Sequence, residues 1–220
     1  MKLTNSLIGL LILTLFLSAC KKDPELEQKD PAGKISLSFK HYCDGQPLDF
    51  DIRKYVNAAG NEYMVNEIQY FLSDVKLHKL DGSYYLIQAW KDIHYVDTDI
   101  SGTQEWVVFD DIEVGEYSGI SFTFGINEEK NQSLMFTDPP ESLMFWPEYL
   151  GGGYHYMKLN GKWLDPNGLE RPYNFHLGIG QEYDPVSGEI TGFIQNYFEI
   201  IVPGSSFEIY QNKETRIGLV

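Results

Sequence analysis

Three histidines fall in or beside predicted β-strands and are the residues best suited to metal chemistry: His41, His155 and His176. A neutral imidazole is a common metal ligand, and thioether sulfur nearby favours copper, particularly Cu(I). Met157 shares a predicted strand face with His155, and Met144 lies a short way upstream as a second soft ligand. These residue types predict a copper site if the fold brings the histidines together.

A shared copper site sets a geometric requirement on these histidines. Because Cu–N bonds resemble the ~2 Å Zn–N bond, at least two of the three imidazoles must lie within about 5 Å of each other. A fold that placed His41 and His176 on opposite faces of a sheet would contradict the site. The alternative interpretation is that each histidine is an ordinary hydrogen-bonded core residue.

Signatures of several enzyme classes are absent from the sequence. It contains no G-x-S-x-G elbow, no H-E-x-x-H pair, no Walker loop and no G-x-G-x-x-G. Asp97-Thr98-Asp99 begins like a calcium loop but lacks the closing Glu, since Val108 stands there, so we interpret it as a solvated turn. The sequence favours a binding protein over an enzyme.

The charge balance excludes one class of partner. The chain carries 32 acidic residues against 17 Lys and Arg, a formal net charge of −15. A surface of this sign repels the phosphates of nucleic acids and anionic lipid headgroups. We therefore exclude DNA and RNA as partners, whereas cations remain compatible with the sequence.

The N-terminus has the pattern of a bacterial export signal. Lys2 precedes an apolar run at residues 7–17, which is too short for a bilayer that requires about 20 apolar residues. Leu-Ser-Ala-Cys at residues 17–20 then resembles the lipobox in front of a lipidated cysteine. We predict a signal peptide at residues 1–19 and a lipid anchor on Cys20.

Residues 20–33 follow as a charged, proline-containing tether. The predicted protein is therefore held on a membrane of the cell envelope through Cys20, facing the periplasm or the cell surface. With Cys20 lipidated, Cys43 has no intrachain partner and is either a small buried residue, or a metal ligand or reactive group.

Short alternating segments dominate the rest of the chain. About ten of them are separated by turn signals such as Asn160-Gly161, and no amphipathic helical stripe of useful length appears. The pattern predicts one all-β domain at residues 34–220, an antiparallel sandwich or barrel. Residues 217–220 look like an interior strand, so we expect the complete domain to continue beyond them.

One long segment lacks strand patterning. Residues 127–149 contain three prolines, and a connection of this length inside a compact domain is usually functional. Trp146, Tyr149 and Tyr154 lie in it or just after it. The alternative function is therefore an exposed, roughly coplanar aromatic platform that binds a glycan or a partner protein without a metal. Burial of all three rings would exclude it.

Several segments, taken in order, carry a family resemblance across most of residues 34–201. They are Phe39-x-His41 with Gln46-Pro47-Leu48; Tyr55-x-Asn57-x-x-Gly60-Asn61-x-Tyr63; the run at residues 68–77; Gly115-Glu116-Tyr117-Ser118-Gly119-Ile120-Ser121-Phe122; Met144-Phe145-Trp146 with Gly153-Tyr154 and residues 157–161; and Phe175-His176-Leu177-Gly178. Together they resemble the MbnP-like proteins, a family of methanobactin-associated periplasmic copper-binding proteins.

The resemblance implies a β-sandwich that binds copper outside the cytoplasm. In some family members a partner di-haem, peroxidase-like enzyme oxidises a tryptophan to kynurenine, and this residue helps histidines to bind copper. By matched position, His176 is the best ligand candidate, His41 is the second, and Trp146 is the residue open to modification. His155 matches no family histidine and is included on chemical grounds alone.

Two positions depart from the family pattern. Glu148 stands where many members have a second tryptophan, and Gln132 stands where many have a histidine. A missing imidazole would lower copper affinity or abolish the site.

Overall fold

Strands make up most of the regular structure in the computed structural model, which describes residues 30–88 and 92–220. The strands are β1 (Ala32–Phe39), β2 (Tyr42–Cys43), β3 (Gln46–Pro47), β4 (Tyr55–Val56), β5 (Glu62–Lys79), β6 (Tyr84–Leu86), β7 (Ile93–Asp97), β8 (Glu105–Val107), β9 (Ile112–Glu113), β10 (Gly115–Phe124), β11 (Met157–Leu164), β12 (Glu170–Leu177), β13 (Gly180–Tyr183), β14 (Ile190–Ile194), β15 (Phe198–Ile201), β16 (Phe207–Ile209) and β17 (Glu214–Leu219). Three short 3-10 turns occur at Ser101–Thr103, Glu141–Met144 and Glu148–Leu150. The all-β prediction is confirmed.

The strand β5 organises the larger of two packed sheets. Its 18 residues pair with β11 and β10 in the order β12-β11-β5-β10-β15, and β4, β6 and β7 also pair with it. The smaller sheet has the order β17-β1-β8, with β17 parallel to β1 and β8 antiparallel. The two sheets form a sandwich in which most neighbouring strands are antiparallel.

Two apolar clusters lie on the two faces of the larger sheet, because side chains alternate along β5. Leu72, Val75 and Leu77 pack against Ile35 and Leu37 of the smaller sheet, and we call this face the inner face. The second cluster covers the outer face, where the long connection after β10 folds back: Phe71, Ile93, Tyr95, Ile126, Met144, Tyr154, Tyr156 and Ile179. The long connection therefore supplies a core of its own.

The predicted turn at Asn160-Gly161 is wrong, since both residues lie within β11. A β-bulge in the pairing with β5 falls between them. A Cβ atom on Gly161 would lie 2.2 Å from the carbonyl oxygen of Met64 and 2.4 Å from the Tyr173 hydroxyl. The glycine is needed for this close approach and does not end the strand.

Residues Pro31–Val220 form one compact unit. No helix in the described ranges is long and apolar enough to cross a membrane. The predicted signal peptide at residues 1–19 and the predicted lipidation at Cys20 lie outside the described residues.

Candidate metal centre

A short backbone pairing positions Trp146 beside His155. The Trp146 N–H donates to the Gly153 carbonyl at 2.8 Å, and the His155 N–H donates to the Met144 carbonyl at 2.6 Å. The two antiparallel segments place the indole and imidazole rings edge to face, with centroids 4.6 Å apart.

His176 reaches the same place from β12. Its ring meets the ring of His155 at an interplanar angle of 87°, with centroids 5.0 Å apart. Two of the three predicted histidines therefore satisfy the 5 Å requirement, and Trp146 lies beside them.

Gly178 allows the indole of Trp146 to lie flat against the chain after β12. A Cβ atom at this position would fall 2.8 Å from two carbons of the Trp146 ring system. The Trp146 Nε1–H donates to the Leu150 carbonyl at 3.1 Å, which fixes the ring from the other end. The half-buried indole is thus held in one orientation.

The hydrogen bond of His155 fixes its tautomer. His155 Nδ1 lies 2.9 Å from the Met144 carbonyl oxygen, which can only accept, so Nδ1 carries the proton. Burial lowers the pKa of His155 to about 4, so the ring is neutral at pH 7. The lone pair is then on Nε2, and the Phe145 carbonyl is a second backbone oxygen beside the ring. A metal-binding histidine has the same arrangement.

A chain of hydrogen bonds fixes the tautomer of His176 in the same way. Asn160 Nδ2 donates to a Glu67 carboxylate oxygen at 3.0 Å, which orients the amide. Asn160 Oδ1 then faces His176 Nε2 at 3.1 Å, and this oxygen can only accept. His176 therefore carries its proton on Nε2 and its lone pair on Nδ1. Burial, followed by the charge of Lys158, lowers the pKa of His176, which favours the same neutral form.

His41 lies on the other face of the larger sheet, and this corrects its assignment to a shared site. Lys158 is paired with both His176 and Gln69, so His176 belongs to the outer face. The next residue of β5, Tyr70, belongs to the inner face, and its hydroxyl lies 3.2 Å from His41 Nε2. The sheet therefore separates His41 from His176, which contradicts the predicted copper site that included both residues, and one ion cannot bind both.

Met157 lies on the other face of the sheet from the histidine pair and is not placed as a soft ligand beside it. Met144 is fully buried in the outer-face cluster and contacts His155 through its carbonyl oxygen. Met157 lines a cavity of about 250 Å³ with His41 and Tyr70. His155 does not share a face with Met157 as predicted, because β11 begins only at Met157 and strand alternation does not extend back to His155.

The prediction of an exposed aromatic platform at Trp146, Tyr149 and Tyr154 is wrong. Tyr149 is 74% exposed, but Tyr154 is only 1% exposed and Trp146 is half-buried against His155. Tyr154 instead packs edge to face on Phe71 and Phe136. The three rings do not form a common exposed surface.

Among the described residues, three acidic side chains that could bind a metal lie close together: Glu67, Asp97 and Asp99. Their ligand atoms are within 4.8 Å of one another. Asp97 is buried, which the interpretation as a solvated turn did not anticipate. Its oxygens accept from the Tyr95 hydroxyl at 2.7 Å, the Gln69 amide at 3.0 Å and the Asp99 N–H at 2.9 Å. These hydrogen bonds occupy the oxygens of the Asp97 carboxylate and close the turn that follows β7.

Cys43 is a free, half-buried thiol, 3.8 Å from the Tyr63 hydroxyl.

Three supporting residues were not identified from the sequence: Glu67, Asn160 and Lys158. Lys158 Nζ donates to the Leu143 carbonyl at 2.7 Å, which ties β11 to the long connection. Strand alternation places Lys158 and Asn160 on one face, but only the pairing register shows that His176 shares it. Gln132, at the family's histidine position, bonds to the carbonyls of its own turn.

Fold and geometry together define an all-β sandwich protein with two neutral imidazoles and an indole grouped on one sheet face. The chain belongs to the MbnP family, whose profile matches residues 32–216. The solved structure of MbnP from Methylosinus trichosporium is similar, with a TM-score of 0.50 and 16% identity over 84% of this chain and 75% of that chain. At this identity the likeness shows the fold alone. No curated protein matches the chain in sequence.

Proposed function

We propose that this chain is a non-catalytic copper-binding lipoprotein of the cell envelope, which takes up, stores or delivers copper. His155 Nε2 and His176 Nδ1 are the proposed ligands. Cys20 is the proposed lipid anchor, as the N-terminal sequence predicts.

The observation that carries this proposal is the meeting of two neutral imidazoles at a ring-centroid distance of 5.0 Å. Each ring has its non-ligating N–H bonded to an oxygen, which leaves one lone pair available. Imidazole nitrogen is a preferred ligand for copper, and second-sphere hydrogen bonds of this kind orient ligating histidines. The donor set therefore fits a copper ion without His41.

Trp146 completes the proposed site as the neighbouring aromatic group. Its ring centroid lies 4.6 Å from that of His155, and one end of the indole is bonded to a backbone carbonyl. The family resemblance adds a di-haem, peroxidase-like partner that oxidises this residue. Mass spectrometry of the native protein tests for this modification directly.

Copper stoichiometry and affinity test the proposal. The full-length chain in detergent is titrated with Cu(I) in competition with a colorimetric chelator, alongside His155→Ala, His176→Ala and His41→Ala. We expect one equivalent in the wild type, a loss of at least about tenfold in affinity for each of the first two variants, and no change in His41→Ala.

His41→Ala is the matched control, because it removes an imidazole from the other face of the sheet. Burial lowers the pKa of His41 as it does for His155 and His176. Equal affinity in the wild type and His176→Ala would reject the site. If the unmodified wild type binds no copper, the native protein with oxidised Trp146 is titrated next, and failure there would reject the function.

A further inference from the structure

A second candidate site lies on the opposite face of β11 from His176. It is a cavity of about 380 Å³ lined by Asn57, Asn61, Tyr63, Leu159, Trp163 and Tyr173, and we call it the aromatic cavity. Its volume is within the range of small-molecule sites. Nothing in the proposed copper function uses these residues.

The strand register brings three of the rings together. Trp163 of β11 is paired with Tyr63 of β5, and Tyr173 of β12 is paired with Gly161. The Tyr63 and Tyr173 rings meet at 75° with centroids 6.3 Å apart. The Tyr173 hydroxyl donates to the Met64 carbonyl at 3.0 Å, so the ring is held across the strands. Tyr63 and Tyr173 form an aromatic corner, and Trp163 lies beside Tyr63 through the strand pairing.

Polar groups with free hydrogen-bonding capacity line the same cavity. In residues 30–88 and 92–220, the side-chain amide of Asn61, Asn57 Nδ2 and Trp163 Nε1 have no hydrogen-bond partner. Asn57 Oδ1 accepts from the N–H groups of Ala59 and Asn61, both at 3.0 Å, so the Asn57 amide is fixed in direction. The cavity therefore offers one oriented donor, Asn57 Nδ2, and further polar groups on Asn61 and Trp163 beside flat apolar rings.

We propose that the aromatic cavity binds a neutral sugar residue of an oligosaccharide. The apolar C–H face of a pyranose packs on an aromatic ring, while its hydroxyl groups match amide and indole donors. None of the six lining side chains is charged, and the net charge of −15 repels acidic sugars. The proposed sugar-binding surface is therefore formed by Trp163 and its neighbours. These are different residues from those of the aromatic platform predicted around Trp146.

Calorimetry of the full-length chain in detergent tests this proposal. The probes are cellotriose, maltotriose, mannotriose and chitotriose, with trigalacturonic acid as the acidic comparison. We expect at least one neutral trisaccharide to bind and the acidic one to bind about tenfold more weakly or not at all. Trp163→Ala should reduce the affinity about tenfold or more.

Asn61→Ala is the second variant, because its side chain makes no hydrogen bond within the described residues and its loss should leave the fold intact. It should weaken sugar binding several-fold. His176→Ala should leave sugar binding unchanged, which separates this proposal from the copper function. Absence of binding by all four neutral sugars, or unchanged affinity in both Trp163→Ala and Asn61→Ala, would overturn it.

Discussion

The imidazole ring of His155 meets that of His176 edge to face, with centroids 5.0 Å apart, although one follows a long irregular connection and the other lies in a strand. The backbone oxygen of Met144 fixes the first ring, and Asn160 fixes the second. Their orientation is therefore determined by the fold before any metal binds.

Removing the Asn160 amide should weaken copper binding although Asn160 is not a ligand. In Asn160→Ala, His176 loses the acceptor that holds its proton on Nε2, so both tautomer and ring angle become free. The expected loss is about 10–100-fold in Cu(I) affinity, measured by chelator competition. Asn174→Ala is the control, since Asn174 is exposed and directly opposite Asn160 on β12. Equal losses in both variants would refute this role.

Much of the fold could be predicted from the sequence, because alternation and turn residues are local signals. The all-β class followed from them, whereas Gly161 misled because a turn and a crowded bulge both favour glycine. The site was less predictable. His176 was identified by resemblance, but its pairing with His155 depends on where β11 begins, and the exclusion of His41 depends on the register between β11 and β5.

Acid should destabilise the protein partly through His155. The pKa of His155 is about 4, below the ordinary 6.5, because burial disfavours the cation. Between these values the unfolded chain binds a proton that the folded chain does not, so stability falls as the pH drops from about 6.5 towards 4. The effect approaches about 3 kcal/mol at the lower limit.

His155→Asn tests this dependence, because an amide can replace the Nδ1–H bond to Met144 without titrating. Urea unfolding at pH 7 and near pH 4.5 gives the free energy of unfolding for both proteins. We expect the wild type to lose about 2 kcal/mol more than the variant over this interval. An identical pH dependence in the two proteins would contradict the lowered pKa.

Gly178→Ala should disturb the tryptophan side of the site. Its Cβ would press on the indole of Trp146 at 2.8 Å, so the ring or the backbone must move. We expect a loss of about 1–3 kcal/mol in the free energy of unfolding, with a changed tryptophan fluorescence spectrum. Gly102→Ala is the control, because no atom lies within 4 Å of its added methyl group. If Gly178→Ala left the free energy of unfolding unchanged, the indole of Trp146 would not be held against Gly178.

Lys130 should hold the long connection in place through two ion pairs, one with Asp74 of β5 and one with Asp92, which precedes β7. Burial alone would raise the pKa of Asp74, but hydrogen bonds from Lys130 and Asn127 outweigh it and keep the pKa below its ordinary value. Lys130→Ala should cost about 1–3 kcal/mol at pH 7, since two partly buried carboxylates then lack a cation.

The cost should shrink near pH 3, because the stabilisation from an Asp with a lowered pKa is lost as the pH falls through that pKa. Urea unfolding at both pH values measures it. Lys162→Ala removes the more exposed pair with Glu170 and should cost less than Lys130→Ala. A larger loss in Lys162→Ala than in Lys130→Ala would contradict this account.

X-ray absorption spectroscopy at the copper edge of the one-to-one complex tests the central claim most directly, because scattering from imidazole rings counts the histidine ligands. We predict two imidazoles in the wild type and in His41→Ala, and one in each of His155→Ala and His176→Ala. Two imidazoles retained in His176→Ala, or one lost in His41→Ala, would contradict the assignment of His155 and His176 as the copper ligands.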